Sequence, residues 1–191
     1  MHKNIGVSIF LIFILLQLFS RPLSSAFSED FLSSHINYIR MKNILQANTL
    51  AEIQTRLQAL KPENKALWGK MTVHQMLPHC SDQFRMIFGE IQPKKAGSFF
   101  HRTVLKWLVL YVIKAPKGKV QTLPELAPEL GGSQPITFEQ DRQTLLDYIQ
   151  RFVDQEQATL FPHGAFGKLT RKEWARMIYS HLDHHFEQFG V

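Results

Sequence analysis

Residues 170–191 read TRKEWARMIYSHLDHHFEQFGV, and this stretch decides the class of the fold. Thr170 with Glu173 three positions on is a capping box, so a helix is predicted to start there. The stripe Trp174, Ile178, His181, His185 and Gln188 then advances in steps of four, three, four and three. That period is the interior-facing seam of a bundle helix, and Gly190 supplies its terminator. His181 and His185 therefore face the way Trp174 and Ile178 face, about 40° apart around the axis and about 6 Å apart along it. Neighbouring neutral imidazoles buried without partners are costly, and two adjacent imidazolium ions are costlier. A divalent cation at about 2.0 to 2.1 Å from each nitrogen removes both objections. His184 faces a similar direction but is rotated toward the flank beside Asp183, which leaves it a weak catalytic candidate.

Working outward, the rest of the chain is also helical in period. Thr49 to Leu60 places Leu50, Ile53, Leu57 and Leu60 three and four apart, and Lys61-Pro62 ends it. Thr72 with Gln75 is a second capping box, opening a stripe of Val73, Met76, Leu77, Cys80, Phe84, Ile87 and Phe88 that stops near Gly89. Pro78 either bends this helix or lies in its first turn. Phe99 to Ile113 (FFHRTVLKWLVLYVI) is a very apolar third helix. A long Pro- and Gly-marked connection from Pro116 to Pro135 leads to a fourth, Thr137 to Leu160. With no β alternation and no phosphate loop, the class is all-α, most economically a four-helix bundle with a long crossover.

A third ligand for the His181–His185 pair should come from another helix, and His79 is the best candidate. Asp82, one turn on, offers either a further ligand or an acceptor for a free imidazole N–H; it is also a weak catalytic candidate. Three histidines with an open position form a catalytic rather than a structural pattern. The plainer reading makes HxxxH a surface or capping pair and His79 a core or edge histidine. Cys80 follows His79 directly, but adjacent helical residues diverge by about 100°, so it reads as an inert core cysteine. His163, in FPHGAFG, reads as an ordinary loop histidine, the alternative being that it reaches the mouth of the site.

The chain has 191 residues, 45% of them hydrophobic, one cysteine and nine histidines. One cysteine excludes an intramolecular disulfide framework and a thiolate-rich zinc cluster. Ile5 to Phe19 is an uncharged apolar run, too short for a stable span of about 20 residues. It fits a signal-peptide core with cleavage after Ala26, or upstream sequence before a true start at Met41. The expected domains are thus a 1–40 extension outside the fold and a 41–191 helical domain. A start at Met41 implies a cytoplasmic protein, and a start at Met1 an exported or membrane-associated one.

Residues 91–124 hold seven basic side chains (Lys94, Lys95, Arg102, Lys106, Lys114, Lys117 and Lys119) and no acid. A solvated face is the plain reading of this cluster. An anionic cofactor or substrate and an anionic membrane surface touched by residues 99–113 are the alternatives. Nucleic acid is the weakest, since no binding motif is evident.

MTVHQMLPHC (71–80), together with FGKLTRKEWARMIYSHLDHHFEQFGV (166–191), resembles the DinB/YfiT-like superfamily, in its domain-of-unknown-function branch. The QML-x-HC and HLDHH-x-x-QFG elements carry the likeness, which spans about Met41 to Val191. The resemblance implies a four-helix bundle with zinc or nickel held by three histidines, which fall here on His79, His181 and His185. It also implies transfer or isomerisation with a low-molecular-weight thiol and an electrophilic substrate; a homodimer is compatible with it. Pro78 immediately before His79 departs from the pattern and puts that contact in doubt. A non-catalytic bundle, with its histidines holding metal structurally or merely packing, is the competing reading.

Overall fold

The computed structural model describes residues 42–94, 97–112, 114–118, 123–128 and 130–191. The expectations for residues 1–40 lie outside the described residues. The fold is all-α: α1 spans Ala47–Ala59, α2 Val73–Ile87, α3 Lys106–Tyr111, α4 Phe138–Asp154 and α5 Arg171–Gln188. No β-strand occurs among the described residues.

Both expected capping boxes are present. The Thr72 hydroxyl accepts from the Gln75 N–H and the Gln75 side chain answers to the Thr72 N–H; Thr170 and Glu173 do the same at the head of α5. Because α2 begins at Val73, Pro78 lies inside the helix. It removes one backbone donor there, yet α2 runs on for nine residues and keeps His79 on its buried side. Gly89 and Gly190, at φ +78° and +75°, follow the ends of α2 and α5; that left-handed conformation suits glycine and halts each helix.

Three expected boundaries shift. α1 starts two residues before Thr49, with Ile53 and Leu57 buried as expected. α4 ends at Asp154 rather than Leu160. The Arg171 guanidinium donates to the carbonyls of Phe152, Val153 and Gln155, satisfying the end of α4 from the head of α5. The third helix is not one apolar rod: a π-helical turn, His101–Leu105, precedes α3. The Lys106 N–H donates to the His101 carbonyl five residues back. Only Leu110 of α3 is buried, while Phe99 and Trp107 are 83% and 56% exposed. Its expected end at Ile113 lies outside the described residues.

The core runs along α2 and α5. Phe84 of α2 meets the rings of Tyr148 and Phe152 on α4, at 6.2 and 6.3 Å between centroids. Trp174, Ile178, Leu182 and Phe186 line the buried side of α5 with no exposed surface. α1 is tied to α5 by Arg56, which pairs with the buried Asp183 at 2.7 Å. The long connection also packs inward: Leu126, in the 3-10 turn Pro124–Leu126, is buried against the core. No helix among the described residues is long and apolar enough to cross a membrane.

Candidate metal centre

α2 and α5 bring together the three histidines expected to converge. His79 Nε2 lies 3.0 Å from His181 Nε2, and His185 Nε2 lies 3.2 Å from the same atom. One ligand atom from each ring lies within 4.8 Å of the others. Nitrogens bound at 2.0–2.1 Å around one tetrahedral ion stand about 3.3 Å apart. The three Nε2 atoms are thus already close to the spacing such an ion needs.

The hydrogen bonds on the far side of each ring explain why these atoms face one another. His79 Nδ1 is 2.8 Å from the Leu126 carbonyl oxygen, which can only accept, so Nδ1 carries the proton. Gln188 donates its amide N–H to the Trp68 carbonyl at 2.7 Å, which turns its Oε1 toward His185 Nδ1 at 2.9 Å. His185 Nδ1 is therefore also the protonated nitrogen. His181 Nδ1 faces Gln83 Oε1 at 3.1 Å. With all three protons on Nδ1, three Nε2 lone pairs converge on one point and none of them can donate to another. A cation at that point turns mutual repulsion into coordination. The donor set, three neutral imidazoles oriented by oxygens behind them, is one that zinc and nickel accept.

Burial keeps the rings neutral. Burial first, then the charges of His185, His79, His184 and His163, hold His181 well below the ordinary imidazole range. Burial, and then His79, push His185 down to about 3 despite its hydrogen bond to Gln188. Neutral imidazoles have no proton to shed before binding an ion.

The other sequence candidates lie elsewhere. Asp82 is fully buried, but its carboxylate accepts from the Ser133 N–H at 2.7 Å, the Ser133 hydroxyl at 2.6 Å and Arg85 at 3.3 Å. It fastens the crossover to α2 and is not among the three converging ligands. The acceptor role expected of it falls instead to Leu126, Gln83 and Gln188. His184 stands at the flank, its ring 5.8 Å from Trp68 and 5.3 Å from His185, edge-on to both. Burial lowers its pKa. Cys80 is fully buried beside Met76, and burial, reinforced by the Asp82 charge, pushes its thiol far up; it is the inert core cysteine expected.

His163 is more than an ordinary loop residue. It stacks on Phe166 at 4.7 Å and leans on Trp174 at 5.6 Å, and burial lowers its pKa to about 4. The basic segment is not simply a solvated face either. Lys106 pairs with Glu173 at 2.9 Å, Lys114 with Asp183 at 2.8 Å and with Glu187, and Lys117 with Glu187 at 3.7 Å. Its lysines hold down the acidic side of α5. Lys95 and Lys119 lie outside the described residues.

Sequence reasoning missed Gln83 and the Leu126 carbonyl, and saw Gln188 only as a seam position. Gln188 follows His185 by three, so helical spacing could have found it; Gln83 serves His181 from another helix, 98 positions away, and spacing along α2 does not reveal that. Nothing local announces Leu126.

Residues 40–190 match the family described as "Protein of unknown function (DUF1569)", and the chain belongs to that family. No curated protein and no solved structure matches it.

Proposed function

We propose that this member of an uncharacterised family is a divalent-metal-dependent enzyme of the DinB/YfiT-like kind, using a low-molecular-weight thiol against an electrophile. The observation that carries the metal half is the convergence of three Nε2 lone pairs whose Nδ1 protons are held by oxygens. What supports the thiol half is the resemblance in QML-x-HC and HLDHH-x-x-QFG. When bound, zinc or nickel supplies Lewis acidity that favours the thiolate of a thiol at neutral pH.

The chain's own part is to present ligands and to hold them still. His79, His181 and His185 offer three nitrogens and leave a fourth direction for a substrate. Leu126, Gln83 and Gln188 fix the ring protons on the outward nitrogens. The buried core under Trp174 and Ile178 excludes bulk water from one side of the site, while His181 as a residue keeps more exposed surface than His79 or His185.

One observation favours a second reading, a non-catalytic bundle that holds metal structurally: His79 and His185 are only 3% and 7% exposed. Metal per chain in the purified full-length protein, beside a His181→Ala, His185→Ala variant, tests the shared premise. Near-stoichiometric zinc or nickel, lost in the variant, is expected. Absence of metal after both are offered would remove both metal readings. A screen for thiol consumption with the loaded protein then separates enzyme from structural site.

A further inference from the structure

None of the three ligands lines the cavity beside the 161–168 loop, although His163, which does line it, is near enough for its charge to act on His181. Ile91 and Pro93 after α2, Arg102 in the π-helical turn, and the 161–168 loop enclose a cavity of about 320 Å³. That volume is at the small end of the range for small-molecule sites. Met86, Ile91 and Phe161 give it apolar walls, whereas Arg102, Lys168 and His163 give it donors; no Asp or Glu among the described residues lines it.

The donors are uncommitted. Neither Arg102 nor Lys168 forms an ion pair among the described residues. His163 Nδ1 accepts from the Ala165 and Phe166 N–H groups at 3.1 and 3.2 Å, so in the neutral ring the proton sits on Nε2. That proton has no protein acceptor in the described hydrogen bonds. The wall is also held in place: a Cβ on Gly97 would fall 1.7 Å from the Ala165 carbonyl oxygen, so the segment before α3 lies directly on this loop. The Arg102 stem packs on Gly167, where a Cβ would meet its Cδ at 3.5 Å.

We propose that this cavity binds a small organic carboxylate, its anionic end on Arg102 and Lys168 with His163 Nε2–H donating, and its apolar body against Met86, Ile91 and Phe161. A guanidinium fork matches a planar carboxylate in two parallel hydrogen bonds. The apolar walls favour a ligand with a ring or short alkyl body over an inorganic anion. None of the three metal-ligand candidates contacts this ligand, and the proposal does not need the metal reading.

The test is a titration of the isotope-labelled full chain, followed by amide NMR, with benzoate as probe and benzamide as its uncharged counterpart. Saturable shifts at Gly164 and Gly167 with benzoate but not benzamide are expected. Arg102→Gln should weaken benzoate binding by about tenfold or more, and Lys168→Gln, at an exposed position, should weaken it less. Equal response to benzamide would overturn the proposal. So would the absence of saturation up to about 10 mM, or an affinity unchanged in both variants.

Discussion

Gln188 holds His185 by one end and Trp68 by the other: its Oε1 is 2.9 Å from His185 Nδ1 and its amide nitrogen 2.7 Å from the Trp68 carbonyl. An amide can fill both roles only in one orientation, so the tautomer of His185 is set by a main-chain carbonyl in the loop between α1 and α2. The ring that faces the other two histidines is thus positioned from outside the cluster.

Gln188→Leu keeps the volume and removes both hydrogen bonds. Metal affinity, read by competition with a chelator, should fall by about 10- to 100-fold, the usual cost of losing the group behind a histidine ligand. Gln188→Glu keeps an acceptor for His185 and should lose less. An affinity unchanged in the leucine variant would show that His185 needs no such support.

Zinc that binds the folded chain alone should stabilise it. At a free concentration of a hundred times Kd the gain is about 2.7 kcal/mol. A thermal melt of chelated protein should therefore move upward on zinc addition, and the melt of the His181→Ala, His185→Ala variant should not.

Asp82→Ala separates a fastening role from a ligand role. The substitution removes a fully buried carboxylate and leaves two Ser133 donors without their acceptor, while Arg85, partly exposed, keeps Glu90; it should cost about 1 to 3 kcal/mol in denaturant unfolding. Metal per folded chain should stay unchanged. A chain that loses metal while remaining folded would return Asp82 to the site.

His163 makes acid destabilising. Its ordinary pKa of 6.5 is lowered by burial to about 4 in the folded chain. Between these values the unfolded chain binds a proton that the folded loop does not. Stability is therefore fully present above pH 6.5 and declines as pH falls toward about 4, by on the order of 3 kcal/mol. His163→Asn retains an acceptor for the Ala165 and Phe166 N–H groups and cannot titrate. Chemical denaturation of both chains across that window should give a flatter profile for the variant, since His181 and His185 are common to the two.

The parts of this fold written in short-range spacing could be read without coordinates. Thr72 with Gln75, Thr170 with Glu173, and the Trp174-to-Gln188 seam are local patterns, and each has its expected counterpart. The convergence of His79 on His181 was legible only as chemistry in search of a third ligand. The unread parts are long-range. Arg171 ends α4 from the next helix, and Ser133 of the crossover occupies Asp82. Neither α4 nor α2 carries a local sign of the partner. The apolar letters of residues 99–113 read as one very apolar helix, but hydrophobicity alone does not say whether a neighbour arrives to cover it.

His79 and His181, whose Nε2 atoms lie 3.0 Å apart, are separated by 102 positions along the chain, and the oxygen that sets the tautomer of His79 comes from the crossover between them. Bringing those ends together costs loop-closure entropy that no local contact repays in advance. Helix formation therefore does not by itself bring the three nitrogens together; that takes the long-range packing of α2, α5 and the crossover. A chain caught partway has its helical signal and lacks its ligand set, so metal uptake reports on completion of the fold where far-UV circular dichroism does not.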